Sequence, residues 1–227
     1  LFLEQNIKGL CAKFGVDFYQ MLQDFNVDGV TELSILDLEA VAEEYEVDFY
    51  SLLFKPLFIF DHLKSKIEKI KFLVLDVDGV MTDGGMYYTE SGDQIKKYNT
   101  KDGMGIMKAQ EKGLICGIIS SAFTDKMVRN RAEVLKIDHV YVGREQKITI
   151  LKQWCEELSI SLDQVAIIGD DINDLSIMRE VGLRACPKDA VQEVKKEVDI
   201  VLTKNGGTGV VREFIDNFLL SEPIKEY

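Results

Sequence analysis

Proline is scarce in this 227-residue sequence, with three in all, so no Pro-rich linker divides it. Cysteine is sparse as well: Cys11, Cys116, Cys155 and Cys186 are widely spaced and never form a C-x-x-C. That spacing argues against a zinc site or a disulfide framework and fits a reducing, cytoplasmic setting. Long apolar runs are missing. None approaches the ~20 residues needed to span a bilayer, and the longest candidate, 52–60, is broken by Lys55 and Pro56. No signal-peptide pattern is read at the start, where the first residue is Leu. Arginine does not occur before Arg129, and the formal net charge is −12. Nucleic acids and anionic membranes are bound through clustered Lys and Arg, so neither is expected as a partner. An anionic small molecule is not excluded, because a metal ion and a few local cations outweigh a distant field.

What is present, 46% hydrophobic and 29% charged residues, reads as an ordinary soluble globular protein with one core, or a core plus a small appendage. Residues 1–68 hold 13 Asp and Glu against 5 Lys, and their apolar spacing is helical. Ile7, Leu10, Cys11 and Phe14 mark a first helix, closed by Gly15. Phe18, Met21, Leu22 and Phe25 mark a second; Leu36, Leu38, Val41, Ala42 and Tyr45 a third; Phe49, Leu52 and Leu53 begin a fourth. A small acidic all-α domain is expected, and its stretch 38–53 loosely resembles the end of a repressor-type helix-turn-helix. Without arginine it reads as a packing or oligomerisation element, not a DNA reader. From residue 69 the pattern changes. Apolar runs at 72–77, 114–119, 140–142, 165–168 and 199–202 alternate with helical patterns at 105–112, 125–135, 147–158, 172–181 and 190–197. Strands alternating with helices imply βαβ units and a largely parallel sheet. The stretch 84–98 breaks this rhythm and reads as a β-hairpin around Glu90-Ser-Gly-Asp93. No internal repeat is read.

In open α/β sheets, sites form at the carboxyl ends of the strands. The first run ends in Asp76-Val-Asp78-Gly, the second in Ser120-Ser121 and the fourth in Gly169-Asp170-Asp171-Ile-Asn-Asp174, while Lys147 opens the helix after the third. Two acids at i and i+2 can face one site if the chain bends between them, and Gly79 supplies freedom for the bend. One carboxylate can attack phosphorus while the other protonates the leaving oxygen. Crowded carboxylates require a cation, and Mg²⁺ suits a few carboxylates plus phosphate and water. Taken singly, D-x-D-G and G-D-D are ordinary turns, Ser120 a helix cap and Lys147 a surface cation. Their conjunction, each at a strand end, points to a phosphatase.

These residues resemble the haloacid dehalogenase superfamily. Its motif one matches Asp76-Val-Asp-Gly-Val-Met-Thr-Asp83, motif two the serine after Ile119, motif three Lys147 and motif four Gly169–Asp174. The match is to the capless subgroup of octulosonate 8-phosphate and nine-carbon keto-acid sugar phosphatases, which share the hairpin, the stretch 99–106 and a late Gly-Gly-x-Gly-x-x-Arg-Glu at 206–213. It covers about residues 70–220 and implies a Rossmann-like parallel sheet. By resemblance, Asp76 is nucleophile and metal ligand. Asp78 is acid/base, with its main-chain carbonyl on the metal, and Asp170 is the last protein ligand to Mg²⁺. Asp171 and Asp174 support them, and Lys147 neutralises phosphate. Asn99, Thr100, Lys101, Asp102 and Gly103 are implied substrate contacts, together with Arg131. Either Ser120 or Ser121 binds phosphate, with Ser120 favoured because it directly follows the strand. Ala122 stands where the octulosonate enzymes carry arginine, so a small phosphorylated sugar acid is expected but its carbon number is open. With no room for a cap, the resemblance implies a homotetramer whose hairpins pack together.

Overall fold

A computed structural model of the chain describes residues 2–58, 61–122 and 125–220. The chain divides into two compact units, one running to Asp61 and one starting at His62.

The first unit is helical: α1 (Leu3–Phe14), α2 (Phe18–Asp24), α3 (Ile35–Glu44) and α4 (Phe49–Phe54). Most of each predicted apolar face is buried, but Phe14 on α1 is 51% exposed and Leu36 on α3 is 74% exposed, and on α3 Leu38, Val41 and Ala42 make the contact. The structure also reveals a repeat that the sequence pattern concealed. Val16-Asp-Phe-Tyr19 and Val47-Asp-Phe-Tyr50 occupy the same place in two successive helical hairpins. Both are preceded by a residue of positive φ, Gly15 (70°) and Glu46 (52°). The valine amides donate to Cys11 O and Ala42 O, each at 2.8 Å. Asp17 and Asp48 cap the second helix of each hairpin through Gln20 N and Ser51 N, both at 2.8 Å. Buried positions correspond (Ile7 with Leu38, Leu10 with Val41, Cys11 with Ala42, Met21 with Leu52). The equivalent rings of Phe14 and Tyr45 meet at 5.0 Å. Beyond these four residues and Leu22 with Leu53 the copies share only apolar spacing, which is why the repeat is faint in the sequence.

Asn6, fully buried, fastens this unit. Its Nδ2 donates to Leu52 O (2.8 Å) and Lys55 O (2.7 Å) at the end of α4, and its Oδ1 accepts from Leu57 N (2.8 Å). These are orphan carbonyls of a helix end, which would otherwise be buried without partners.

In the second unit, β1 (Phe72–Leu75), β4 (Ile115–Ser120), β5 (His139–Val142), β6 (Val165–Ile168), β7 (Leu183–Cys186) and β8 (Ile200–Val201) form one parallel sheet in the order β5-β4-β1-β6-β7-β8. All four residues of β1 and of β6 are buried, as continuous apolar runs demand of strands covered on both faces. Helices α6 (Thr100–Glu111), α7 (Lys126–Leu135), α8 (Lys147–Leu158), α9 (Leu175–Met178), α10 (Gln192–Lys195) and α11 (Val210–Phe214) lie between or after strands. β7 was not expected, because Arg184 interrupts its apolar run. The structure accommodates that arginine by pairing it with Asp199 through two contacts of 3.0 Å. Asp199 also holds Lys66 (2.7 Å) on α5 (Asp61–Ile67). The pair ties α5 to the sheet, so the division falls at Asp61, ahead of the expected 68. The hairpin is short, with β2 (Tyr87–Tyr88) antiparallel to β3 (Gln94–Ile95). No helix among the described residues is long and apolar enough to cross a membrane.

Replacing Asn6 with Ala strands buried carbonyls in the first unit. It should cost about 1–3 kcal/mol in urea denaturation followed by helical circular dichroism.

Candidate active site

Because every strand of the sheet runs the same way, β1, β4 and β6 deliver their following residues to one rim. Asp76 continues the ladder, its amide donating to Ile168 O at 3.0 Å, and its side chain is buried. The chain then turns sharply over residues 77–81, with Gly79 at φ 94°. A Cβ there would sit 2.0 Å from Asp170 Oδ2, so only glycine lets the motif-one loop lie against Asp170. The late glycine pair supports the same loop from behind. A Cβ on Gly206 would stand 1.9 Å from Gly79 O, and Gly207 N donates to Val80 O at 2.9 Å.

Lys147, the first residue of α8, is 4% exposed and donates to Asp76 Oδ1 (2.5 Å) and Asp174 Oδ1 (2.6 Å). Asp174 is fully buried, and its Oδ2 accepts from the amides of Asp170 (3.0 Å) and Asp171 (3.4 Å), shaping the motif-four loop. Asp171 is exposed and caps the short turn that follows, accepting from Ile172 N at 2.7 Å. Asp76, Asp170 and Asp174 each offer an oxygen within 4.8 Å of the others. One ammonium thus faces three carboxylates. Burial and the neighbouring Asp174 push Asp76 up to about 7, despite Lys147 pulling the other way. Burial and Asp76 push Asp170 up to about 8. Burial opposes the Lys147 ammonium, but Asp76 and Asp174 outweigh it and hold its pKa above the ordinary lysine value. Asp170 Oδ1 is buried with no hydrogen-bond partner. An orphaned oxygen and a surplus of two negative charges are what a divalent cation would satisfy, so the residues fit a metal ion.

Beside this cluster lies a cavity of about 260 Å³, walled by Asp76, Asp78, Ser120, Ser121, Ala122, Asp170 and Asp171. Ser120 Oγ accepts from Ala122 N at 3.2 Å, and Ser121 Oγ is 3.5 Å from Asn173 Nδ2. Five further wall residues, Met86, Gln94 and Lys96 of the hairpin region, Arg144 and Asn173, were not singled out from the sequence as site residues. Lys96 Nζ forms an ion pair with Asp78 Oδ1. The available signal was positional: alternate residues of a strand face one side, and Arg144 lies in the loop after β5, just ahead of Lys147.

The implied substrate contacts come together elsewhere and do not line this cavity. Asn99 caps α6, accepting from Lys101 N (2.8 Å) and donating to Gly207 O (3.1 Å). Buried Asp102 accepts from Arg212 N at 2.7 Å, which ties α6 to the start of α11. Arg131 donates to Asn99 O (3.3 Å), lies 5.4 Å from the Tyr98 ring centre and crowds Gly103, while Thr100 and Lys101 are exposed.

A family model described as haloacid dehalogenase-like hydrolase matches residues 119–214. The chain is 37% identical over 161 residues to 3-deoxy-D-manno-octulosonate 8-phosphate phosphatase KdsC of Salmonella typhi, covering 71% of this chain and 85% of that protein. Among solved structures, the corresponding phosphatase of Yersinia pestis superposes with a TM-score of 0.69 at 34% identity, covering 71% and 87% of the two chains. That of Moraxella catarrhalis, in complex with magnesium, phosphate and KDO, gives 0.66 at 33% identity over 69% and 90%. On that identity and coverage, the chain belongs to the haloacid dehalogenase-like hydrolases and is one of their phosphatases.

Proposed function

We propose that the chain hydrolyses a sugar-acid phosphate of the 3-deoxy-octulosonate 8-phosphate type through an aspartyl-phosphate on Asp76. The observation that carries this reading is the buried Asp76–Lys147 pair at the wall of the cavity, with Asp78 at the same wall. Lys147 holds Oδ1 of Asp76, which leaves Oδ2 to attack phosphorus. As that bond forms and the phosphorus–oxygen bond to the sugar breaks, Asp78 gives its proton to the departing oxygen. Asp78 then takes a proton from the water that attacks the aspartyl-phosphate, releasing inorganic phosphate and restoring Asp76. Ser120, whose oxygen already accepts an amide, has its hydroxyl hydrogen to give to a phosphoryl oxygen; Ser121 is the neighbouring alternative. Asp76, Asp170 and the Asp78 carbonyl would hold Mg²⁺, with Asp174 and Asp171 fixing the loop behind them. When bound, that ion neutralises charge on the phosphoryl group.

The KDO and magnesium bound to the Moraxella catarrhalis relative support the substrate class and the metal. Arg144 brings positive charge to the cavity for an acidic sugar. Ala122 in the wall favours a second reading, a nine-carbon keto-acid sugar phosphate, because it leaves space and no cation where the octulosonate enzymes carry arginine. Thr100, Lys101 and Arg131 remain the proposed outer contacts, with Asn99, Asp102 and Gly103 fixing the start of α6. Exposure of Met86, Tyr87, Tyr88 and Ile95 on the hairpin supports self-association, proposed as a homotetramer. Four buried, unpaired cysteines fit a cytoplasmic setting.

A screen of eight- and nine-carbon sugar-acid phosphates beside p-nitrophenyl phosphate tests the substrate; equal rates on all of them would defeat the sugar-acid reading. Asp76→Asn should reduce turnover on every phosphoester by on the order of 10³-fold or more. Asp78→Asn should lower turnover of a sugar phosphate by about 10²- to 10⁴-fold.

Metal removal has a pH signature. Asp76 and Asp170 titrate near 7 and 8 in the folded chain, above their ordinary range, so the metal-free fold binds more protons than the unfolded chain. Their contribution to stability is therefore full below about pH 4 and is lost as pH rises to about 8. In chelator, Tm should fall across that window, and Mg²⁺ should raise Tm more at about pH 8 than at about pH 5.5. A metal effect independent of pH would contradict this.

A further inference from the structure

The segment that returns from the hairpin tip, β3 and the residues just after it, alternates in burial. Gln94, Lys96 and Tyr98 are partly buried, whereas Ile95 and Lys97 are exposed. The period of two delivers Lys96 to the cavity wall. Its side chain is only 11% exposed, and its ammonium ion-pairs with Asp78 Oδ1. Thr82 Oγ1 approaches the same oxygen at 3.5 Å. No contact among the described residues engages Asp78 Oδ2, and the Asp78 side chain is 42% exposed.

We propose that Lys96 is a positioning residue for Asp78. With Thr82 it holds Oδ1, so that Oδ2 is the oxygen presented to the substrate. The inference rests on the acid/base reading of Asp78. In the first half-reaction the proton passes from Asp78 Oδ2 to the departing sugar oxygen while the bond from Asp76 to phosphorus forms. In the second, Oδ2 takes a proton from the attacking water. Lys96 keeps its own protons throughout. The hairpin is therefore part of the reaction's geometry as well as an outward-facing surface, because the residue that fixes the acid directly follows its return strand.

A leaving group that needs no proton separates this role from simple phosphate binding. In single-turnover experiments with excess enzyme and Mg²⁺, Lys96→Met should lower product release from the best sugar phosphate of the screen by at least about tenfold more than it lowers nitrophenolate release from p-nitrophenyl phosphate. KM for the sugar phosphate should change little, and Lys96→Arg should recover most of the lost rate. Lys96→Gln takes the place of Lys96→Met if circular dichroism shows the latter misfolded. Equal losses on both substrates, a change confined to KM, or no loss would overturn the proposal. Asp78→Asn, run in parallel, should show the same split more strongly. If Asp78→Asn splits the substrates and the Lys96 variants do not, the Lys96 assignment alone fails. If Asp78→Asn shows no split, the acid/base reading falls and the Lys96 role with it.

Discussion

Lys147 is surrounded by more negative charge than it can neutralise. Its ammonium reaches Asp76 and Asp174 inside the protein, and Asp170 completes a cluster whose oxygens lie within 4.8 Å of one another. Bringing like charges together away from water is costly unless something balances them. The sheet makes the arrangement unavoidable by ending β1 and β6 side by side, and the turn at Gly79 brings its loop against Asp170. The site is thus held by scaffold geometry against its own repulsion. Cation demand and the raised pKa values of Asp76 and Asp170 both follow from that one constraint.

Much of this could be read from the residues. The buried strands β1 and β6 announce themselves as apolar runs, and the acids directly follow them, so the rule that parallel sheets place sites at their carboxyl ends located Asp76, Asp78 and Asp170. α8 matched its predicted bounds because Lys147 opens an uninterrupted apolar period. β7 escaped because its strand carries Arg184, whose partner Asp199 is distant in sequence. Lys96 and Arg144 escaped for a related reason: a cation on a short strand or loop looks solvated until the fold shows what faces it. Asn99 and Asp102, substrate contacts by resemblance, also engage backbone, one at Gly207 and the other at Arg212, which their sequence positions do not disclose.

The helical unit teaches a separate lesson about repeats. Two hairpins keep the same capping aspartate, a left-handed residue two positions before it and the same buried positions, yet share few identities. Backbone requirements at the turn are strict, since a helix end needs its amides and carbonyls satisfied. The packed face tolerates any apolar residue of suitable size. Turn chemistry is therefore where the duplication stays visible.

Gly206 and Gly207 lie more than a hundred residues after the loop they support. A nascent chain that has already emerged with Asp76, Ser120, Lys147 and Asp170 still lacks the backbone that seats the turn at Gly79. The turn at Gly79 is therefore seated only when two stretches far apart in sequence have come together.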